Sequence, residues 1–330
     1  MRKVKIAQIG TSQNSHGNHI FKSLREQSDI FEVVGFAMPE NEKERFPEQM
    51  SAFKDYREMS VEEILKNPDI EAVTIETEEI YLTKYAKMAA ECGKHIHMEK
   101  PGGTSLFDFE ELMDKVKKNK KVFHTGYMYR YNPFVKELME KVKSGELGKI
   151  ISVEAQMNSC YPTINRQWLE NFPGGMMFFL GCHLIDIILQ IKGAPEEIFP
   201  LNCCTGVNGV TSKDFGMAIF KYKDGVSFAK TTANEFGGFA RRQIVVVGTK
   251  GTVEIKPLEI PVGKEQYTKM TICKETDDWA SGGETKESAV YARFDDMMAS
   301  FAKMVRGEKE NPWSYDYELE LYKTILKACG

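Results

Sequence analysis

The sequence lacks a long hydrophobic run, a cysteine pairing pattern and an extended apolar stretch at its start. No apolar segment approaches the roughly 20 residues that a membrane-spanning helix needs, and the longest candidate, residues 176–191, contains His183 and Asp186. The seven cysteines are scattered and form no C-x-x-C pair, which argues against a disulfide framework and a zinc knuckle. The basic residues at the start precede no apolar segment of signal-peptide length. We therefore expect a cytoplasmic protein without a structural metal.

An excess of charge of either sign is also missing. The chain has 44 Lys and Arg against 48 Asp and Glu, and its formal net charge is −4. That balance gives no electrostatic footprint for nucleic acid or an anionic membrane, so a small molecule is the expected partner. The 330 residues, of which 42% are hydrophobic, exceed one small core and predict two domains.

The first third of the chain alternates between apolar, strand-like runs and amphipathic helices. Because parallel neighbours need a crossover connection, this alternation predicts an α/β fold with a doubly wound parallel sheet. After Pro133 the pattern changes to mostly strands joined by tight turns such as Asp224-Gly225, which predicts an α+β domain with a mainly antiparallel open sheet. We expect the two domains to be residues 1–125 and 126–330.

A glycine ends the first predicted strand, and a polar loop leads from it into a helix. The pyrophosphate of a dinucleotide binds at such a turn, because free amides and the positive end of the helix dipole face the anion. Against the pattern G-x-G-x-x-G, Gly10 fits, Ser12 replaces the second glycine, and Ser15 or Gly17 takes the third place. We predict dinucleotide binding by Gly10, Thr11, Ser12 and Ser15; a loop that only turns the chain is the alternative.

The second predicted strand ends without the acid that usually binds the ribose hydroxyls of NAD. Met38 takes that position, and Glu40, two residues later, either reaches the ribose or is an acid of a solvated loop. No arginine follows closely, as a site for the 2′-phosphate of NADP would favour. The expected cofactor is therefore NAD, with NADP as the alternative.

Glu99 and Lys100 follow the fourth predicted strand, directly before Pro101 and two glycines. Ligands of open parallel sheets bind beyond the carboxyl ends of the strands, so this acid and this lysine are candidates for cofactor binding and catalysis. The alternative is a surface ion pair before a proline turn. The proline and the glycines indicate an unusual backbone turn, for which a cis peptide bond is one solution.

Residues 173–190 contain a helix that is apolar almost all round and is therefore expected to be buried. Phe179, His183, Asp186 and Gln190 recur at spacings of three and four residues and share one face of it. Asp186 is placed to reach back to the imidazole of His183, which makes His183 a candidate catalytic base. The alternative is a buried histidine with a structural role.

Several segments, in this order, resemble the family of NAD(P)-dependent oxidoreductases that includes glucose-fructose oxidoreductase, inositol dehydrogenase and the MocA proteins. The most specific segment is Glu99-Lys100-Pro101, and the others are residues 67–73, 93–96, 126–133, 144–150 and 174–186. The likeness covers nearly the whole chain. It implies an N-terminal Rossmann domain that binds the dinucleotide, followed by a domain that binds the substrate and forms oligomers.

The resemblance also implies roles for particular residues. In the family, the lysine of the triplet and the histidine of the buried helix contact the reacting hydroxyl, and an acid one turn before that histidine assists. Lys100 and His183 match the first two, whereas Phe179 stands in the place of the acid. Since a phenylalanine cannot relay a proton, either Asp186 or another group assists, or the chemistry departs from simple alcohol oxidation. Asp186 itself matches a family position, which favours a structural role for it.

The leading hypothesis is hydride transfer between nicotinamide and a secondary hydroxyl of a sugar, cyclitol or related polyol. His183 would accept the hydroxyl proton and Lys100 would donate to the oxygen. By resemblance, Thr77 and Glu79 line the nicotinamide side of the site. The candidate substrate contacts are Tyr129, Arg130, Tyr161, Arg166, Trp168 and Asp186. A packing role is the alternative for each of them, and for Arg130 it is the stronger alternative.

Other functions remain compatible with the same resemblance. The family includes NAD-dependent glycosidases that cause no net redox change, and a co-repressor that binds a dinucleotide without catalysis. The missing acid at position 179 favours both alternatives. The open sheet of the second domain predicts a homodimer or homotetramer.

Overall fold

Strands and helices alternate along much of the chain, and a computed structural model describes residues 2–330. The strands are β1 (Val4–Ile9), β2 (Phe31–Ala37), β3 (Ala72–Ile75), β4 (His95–Met98), β5 (Phe123–Thr125), β6 (Ile150–Asn158), β7 (Glu197–Pro200), β8 (Phe215–Tyr222), β9 (Gly225–Thr232), β10 (Gln243–Gly248), β11 (Gly251–Ile255), β12 (Ile260–Val262), β13 (Glu265–Tyr267), β14 (Lys269–Lys274) and β15 (Glu284–Glu287). The helices are α1 (Gly17–Glu26), α2 (Glu42–Arg45), α3 (Val61–Lys66), α4 (Leu82–Glu91), α5 (Leu106–Lys118), α6 (Pro133–Lys143), α7 (Thr163–Trp168), α8 (Cys182–Lys192), α9 (Asp295–Val305) and α10 (Tyr315–Cys329).

The first five strands form one parallel sheet with the order β2-β1-β3-β4-β5. Its central strands are short apolar runs: all four residues of Ala72–Ile75 are buried, as expected for a parallel sheet covered on both faces. The chain steps from β1 to β2 on one side and then crosses back to β3 on the other. Ligands of doubly wound sheets bind beyond the carboxyl ends of the strands at this reversal. The predicted doubly wound parallel sheet is confirmed.

The second sheet has eight strands in the order β15-β14-β11-β10-β6-β9-β8-β7. All of its pairs are antiparallel except β6 with β9. The turn predicted at Asp224-Gly225 joins β8 to β9, with Tyr222 opposite Gly225. Helix α8 packs on one face of this sheet, and Cys182–Leu189 are buried. The expected α+β arrangement with a mainly antiparallel sheet is confirmed.

Two compact units divide the chain. The first contains the residues up to Tyr127 together with Phe294–Tyr322, and the second contains Met128–Arg293 together with Lys323–Gly330. The sequence pattern assigns both closing helices to a second domain, 126–330, whereas α9 and the beginning of α10 lie in the first unit.

Contacts between distant parts of the chain account for that difference. Ser23 of α1 donates a hydrogen bond to Asp295 of α9 at 2.6 Å. Phe301 of α9 stacks on the ring of His124 in β5, with 5.5 Å between ring centroids. Helix α9 therefore covers the parallel sheet, which its own local pattern does not reveal.

Within residues 2–330, the helices are too short or too polar to cross a membrane.

Candidate functional site

Gly10 begins the loop after β1 and is packed tightly against Thr77, which lies just after β3. Its φ is 85°, and a Cβ atom there would lie 2.3 Å from Cγ2 of Thr77. Only glycine combines this backbone conformation with such a close approach. The structure thus brings the predicted cofactor residues Gly10 and Thr77 together at the carboxyl ends of β1 and β3.

The serines that replace the expected glycines hold the loop in one conformation. The Ser12 amide donates to Oγ of Ser15 at 3.0 Å, and the Ser15 amide donates to Oγ of Ser12 at 2.9 Å. The Gly17 amide also donates to Oγ of Ser15, at 3.2 Å. Because Ser12 is only 2% exposed, its side chain is folded into the loop.

The start of α1 fits an anionic ligand. This ten-residue helix begins at Gly17, and His16 at its N-cap makes no side-chain capping hydrogen bond to it. The amides and the helix dipole at its N-terminus are of the kind that bind a pyrophosphate. The geometry of the loop and helix is therefore compatible with the predicted dinucleotide.

Three residues lie just after the end of β2. Met38 and Glu40 were predicted as site residues, whereas the acid Glu42 was not. Met38 packs against the buried aromatic cluster of the first unit, and Glu40 binds Lys84 and the hydroxyl of Tyr85. Glu42 instead turns back to the Gly10 loop, where it accepts a hydrogen bond from the Thr11 amide at 3.3 Å.

Glu42 is fully buried, and its Oε1 has no hydrogen-bond partner. Burial raises the pKa of Glu42 to about 9. Glu40 and Asn41, directly before it, both have left-handed backbone conformations, with φ of 59° and 56°. These two residues reverse the chain direction, and no sequence pattern signalled that reversal.

Glu99 and Lys100 follow β4 and are both buried, with 1% exposure each. The Lys100 Nζ lies 3.7 Å from Oε1 of Glu99, and Nδ1 of His16 lies 3.4 Å from the same carboxylate. Although burial opposes its charge, His16 and Lys100 hold the pKa of Glu99 below its ordinary value. The peptide bond between Lys100 and Pro101 is cis. The burial excludes the interpretation of this pair as a surface ion pair.

Two further acids lie near Glu99 and Lys100. Glu76 directly follows β3 and was not among the predicted site residues, whereas Glu79 was; both side chains are fully buried. Charge interactions link Glu76 and Glu79 with Glu99 and Lys100. The sequence signal for Glu76 was its position after a buried strand, at the edge where Glu99 also lies.

In the second unit, His183 is the second residue of α8 and follows a π-helical turn, Met177–Gly181. Its side chain is buried, and the ring of Tyr129 meets it edge to face, with 5.0 Å between centroids and an angle of 89°. The structure thus brings together His183 and one of the predicted substrate contacts.

Tyr129 is in turn held by a buried polar network. Its hydroxyl donates to Glu259, which also binds Arg242 and Arg293, each at 2.8 Å. Although burial opposes its charge, Arg293 and Arg242 hold the pKa of Glu259 below its ordinary value, and burial with Glu259 raises the pKa of Tyr129. None of Glu259, Arg242 and Arg293 was predicted as a site residue, because their proximity arises from distant segments.

Asp186 forms a buried, bidentate ion pair with Arg130. The Arg130 Nε and Nη2 lie 2.9 and 2.8 Å from the two carboxylate oxygens, and Gln190 donates to the same carboxylate at 3.0 Å. This geometry favours the structural role for Asp186 and the packing interpretation of Arg130.

An aromatic group surrounds the residue that replaces the family acid. Phe179 packs edge to face on Trp168 at 5.2 Å, stacks near Phe172 at 6.3 Å and lies 6.4 Å from Tyr161, measured between centroids. Two predicted substrate contacts, Tyr161 and Trp168, therefore lie together. A third predicted substrate contact, Arg166, has other contacts, which are polar.

Arg166 is buried, and its guanidinium holds the segment before β8. It donates to Asp214 at 3.2 Å, to Asn208 at 2.6 Å and to the carbonyl of Val207 at 3.2 Å. These bonds are those of a residue that fixes a loop.

The parallel sheet, the glycine turn after β1 and the N-terminus of α1 are those of an NAD-binding Rossmann domain. An α+β domain accompanies it in the same chain. The chain belongs to the GFO/IDH/MocA family. The family model described as an oxidoreductase family with an NAD-binding Rossmann fold matches residues 4–127, and the model for the GFO/IDH/MocA C-terminal domain matches residues 135–254. The family resemblance and the cofactor expected from the sequence are confirmed.

Similar proteins include several oxidoreductases. The uncharacterized oxidoreductase YhhX of Escherichia coli (strain K12) is 30% identical over 143 residues, a match that spans 42% of this chain and 40% of that protein. The trans-1,2-dihydrobenzene-1,2-diol dehydrogenase of Mus musculus is 26% identical over 71% of this chain and 69% of its own. A solved structure of levoglucosan dehydrogenase in complex with NADH and levoglucosan has a TM-score of 0.80 at 17% identity, covering 99% of this chain and 97% of that one. The last comparison supports the fold.

Proposed function

We propose that this oxidoreductase transfers a hydride between nicotinamide and a secondary hydroxyl of a sugar, cyclitol or related polyol. The observation that carries the proposal is Lys100, a lysine with a side chain only 2% exposed at the carboxyl end of β4 in an NAD-binding domain. A buried ammonium at this edge of the sheet is suited to a developing alkoxide. The names of the two dehydrogenases described above refer to a cyclic diol and to levoglucosan.

In the proposed reaction, Lys100 interacts with the oxygen of the hydroxyl and His183 with its proton. Lys100 donates a hydrogen bond to the reacting oxygen, and Glu99 keeps its ammonium oriented from 3.7 Å. His183 accepts the hydroxyl proton as the carbon loses hydride, or returns it in the reverse direction. When bound, the nicotinamide supplies the carbon that accepts or donates the hydride.

Tyr129 performs part of the role of the family acid whose position Phe179 occupies. Its ring packs edge to face on His183, and its hydroxyl is fixed by Glu259. Packing of this kind restricts the orientation of the imidazole without carrying a proton. Tyr161 and Trp168, beside Phe179, are proposed to contact the substrate.

The decisive experiment separates this function from its alternatives. The protein is examined by mass spectrometry for co-purifying NAD or NADP and then incubated with that cofactor and a panel of polyols and glycosides. Reduced-nicotinamide absorbance that rises with a polyol supports the proposal. Cleavage of a glycoside that requires NAD without net reduction indicates a glycosidase, and cofactor binding with neither reaction indicates a regulator.

We also propose a cytoplasmic location. Cys92, Cys160, Cys203 and Cys204 are free, exposed thiols, and such thiols persist in reducing compartments. Cell fractionation tests this proposal, and recovery of the protein from an oxidising compartment contradicts it.

A further inference from the structure

Three carboxyl side chains are buried together where β3 and β4 end. Glu76 directly follows β3, Glu79 lies three residues later, and Glu99 directly follows β4; each is at most 1% exposed. Glu99 is paired with Lys100 and His16, as described above. The ammonium of Lys100 therefore already has a carboxylate partner, and Glu76 and Glu79 are two additional acids.

These two additional acids have no hydrogen bond to another residue. Within the described residues, 2–330, neither oxygen of Glu76 and neither oxygen of Glu79 is paired with a donor of another residue, and the carboxyl of Glu79 interacts with its own backbone amide. A buried, unpaired carboxylate is costly, so such a group keeps its proton or is completed by a ligand. Burial raises the pKa of Glu79 to about 8, and burial together with Glu99 raises the pKa of Glu76 well above its ordinary value.

The ammonium of Lys100 lowers the pKa of both acids, but by less than burial raises it, and the other titratable groups around them do not neutralise them. The Nε2 of His97 lies 3.6 Å from Glu76, but burial lowers the pKa of His97 to about 4, so this ring is neutral near pH 7. Its Nδ1 lies 2.7 Å from Nδ1 of His124, so the two rings share one hydrogen. Glu78, next to Glu79, is bound by Arg45 at 2.6 Å.

The strands that Glu76 and Glu79 lie beside indicate which half of the cofactor these acids would be near. A dinucleotide crosses the carboxyl ends of a doubly wound sheet, with its adenosine on the β2 side and its nicotinamide on the β3 and β4 side. Glu42 lies on the adenosine side, whereas Glu76 and Glu79 lie on the nicotinamide side. Only the nicotinamide changes its charge in the reaction: the oxidised ring is positive and the reduced ring is neutral.

We propose that Glu76 and Glu79 make the site selective for the oxidised dinucleotide, and that one of them releases a proton to solvent when that form binds. The positive ring stabilises a carboxylate beside it, so the O–H bond of the acid breaks and the proton leaves to the buffer. The neutral reduced ring gives no such stabilisation, and both acids stay protonated. The inference rests on the proposed function, since it requires nicotinamide over β3 and β4.

Calorimetry measures the proposed proton directly. NAD⁺ and NADH, and separately NADP⁺ and NADPH, are titrated into the protein at pH 7 in two buffers with different ionisation enthalpies. We expect proton release with the oxidised form and none with the reduced form. By linkage, the ratio of affinities for the oxidised over the reduced form should rise about tenfold from pH 6.5 to 8.5.

Variants assign the effect to the two acids. In the double variant Glu76→Gln and Glu79→Gln, proton release should disappear and the affinity ratio should become independent of pH. Glu62→Gln is the control, an exposed acid of α3 in the same unit, and it should leave the ratio and its pH dependence unchanged.

The possible outcomes distinguish this inference from the proposed function. Equal proton release with both forms of the cofactor in the unmodified protein overturns the inference, and this test does not depend on the stability of any variant. A pH dependence that persists in the double variant assigns the effect to another group and also overturns the inference. Absence of binding by any dinucleotide overturns the proposed function as well.

Discussion

Gly10 and Thr77 are packed so closely that no side chain fits between them. A Cβ on Gly10 would lie 2.3 Å from Cγ2 of Thr77 and 2.8 Å from its backbone, at a φ of 85°. Gly10→Ala should therefore lower the free energy of unfolding by about 2 kcal/mol or more, because both backbone strain and a backbone clash result. Dinucleotide affinity should fall at least about tenfold as the loop is displaced. Denaturant titration and binding measurements check both effects.

Gly145 is the matched control for that substitution. Its φ is 75°, but nothing lies within 4 Å of a Cβ built on it. Gly145→Ala introduces the same backbone strain without the clash, so it should cost only about 1 kcal/mol and leave cofactor affinity unchanged. Equal losses in the two variants would show that the contact with Thr77 has no role in forming the loop.

Lys100 and His183 should each be required for turnover but not for cofactor binding. Once a substrate is identified, Lys100→Ala and His183→Ala should each lower kcat by about 100-fold or more, because one removes the donor to the oxygen and the other the base. Dinucleotide affinity, measured by nicotinamide fluorescence, should remain within a fewfold. Lys66→Ala, an exposed lysine of α3 in the first unit, serves as the control. Full activity in either site variant removes that residue from the mechanism.

Asp186 and Arg130 provide a test of structural against catalytic roles. Asp186→Ala leaves a buried arginine without its partner, which should cost about 3 to 5 kcal/mol of stability. The kcat of the folded fraction should change little, because the carboxylate is held by Arg130 and Gln190. Glu62→Gln, which breaks an exposed pair with Lys66, should have no measurable effect. A stable Asp186→Ala protein with a 100-fold lower kcat, about 2.7 kcal/mol in activation free energy, would instead make Asp186 a catalytic residue.

The fold was predictable because its signals are local. Apolar runs that alternate with helices required a parallel sheet, and the turn at Asp224-Gly225 required a hairpin. The residues after β4 were also predictable, since Glu99, Lys100 and Pro101 are contiguous and follow a buried strand. Position in the chain was enough to place them beyond the carboxyl end of β4, the edge at which ligands of such sheets generally bind.

The unpredicted features depend on contacts between distant segments or on single backbone angles. Glu42 reaches Thr11 only because Glu40 and Asn41 adopt left-handed conformations. Ser12 and Ser15 fit into the loop because the hydroxyl of each accepts a hydrogen bond from the amide of the other. Such reciprocal arrangements leave no periodic pattern in the sequence.

Glu42 should make stability depend on pH. Its pKa is about 9 in the folded protein and 4.5 for the ordinary side chain, so the folded state binds more protons between those values. The free energy of unfolding should therefore fall as the pH rises from about 5 to 9. Glu42→Gln should remove part of that slope and be the more stable protein at pH 8.5, as measured by chemical denaturation. An unchanged slope would mean that Glu42 is ionised in the folded protein or exposed on a fast timescale.

The outward face of the eight-stranded sheet is the proposed oligomer interface. Phe199 of β7 lies opposite Ile219 of β8, which lies opposite Phe228 of β9. This apolar row is on the face away from α8, because the neighbouring Ser227 and Ala229 are the buried residues of β9. An apolar sheet face of this kind is a surface that association would cover.

Phe228→Glu should therefore convert a dimer or tetramer to a monomer. Light scattering is expected to give at least twice the chain mass of 37.6 kDa for the unmodified protein and the single-chain mass for the variant. Phe107→Glu alters a phenylalanine of α5 that is 69% exposed in the first unit, and it should leave the mass unchanged. If the unmodified protein itself scatters as a single chain at micromolar concentration, this face does not mediate a stable assembly, and the apolar row is a weaker contact than the proposed interface requires.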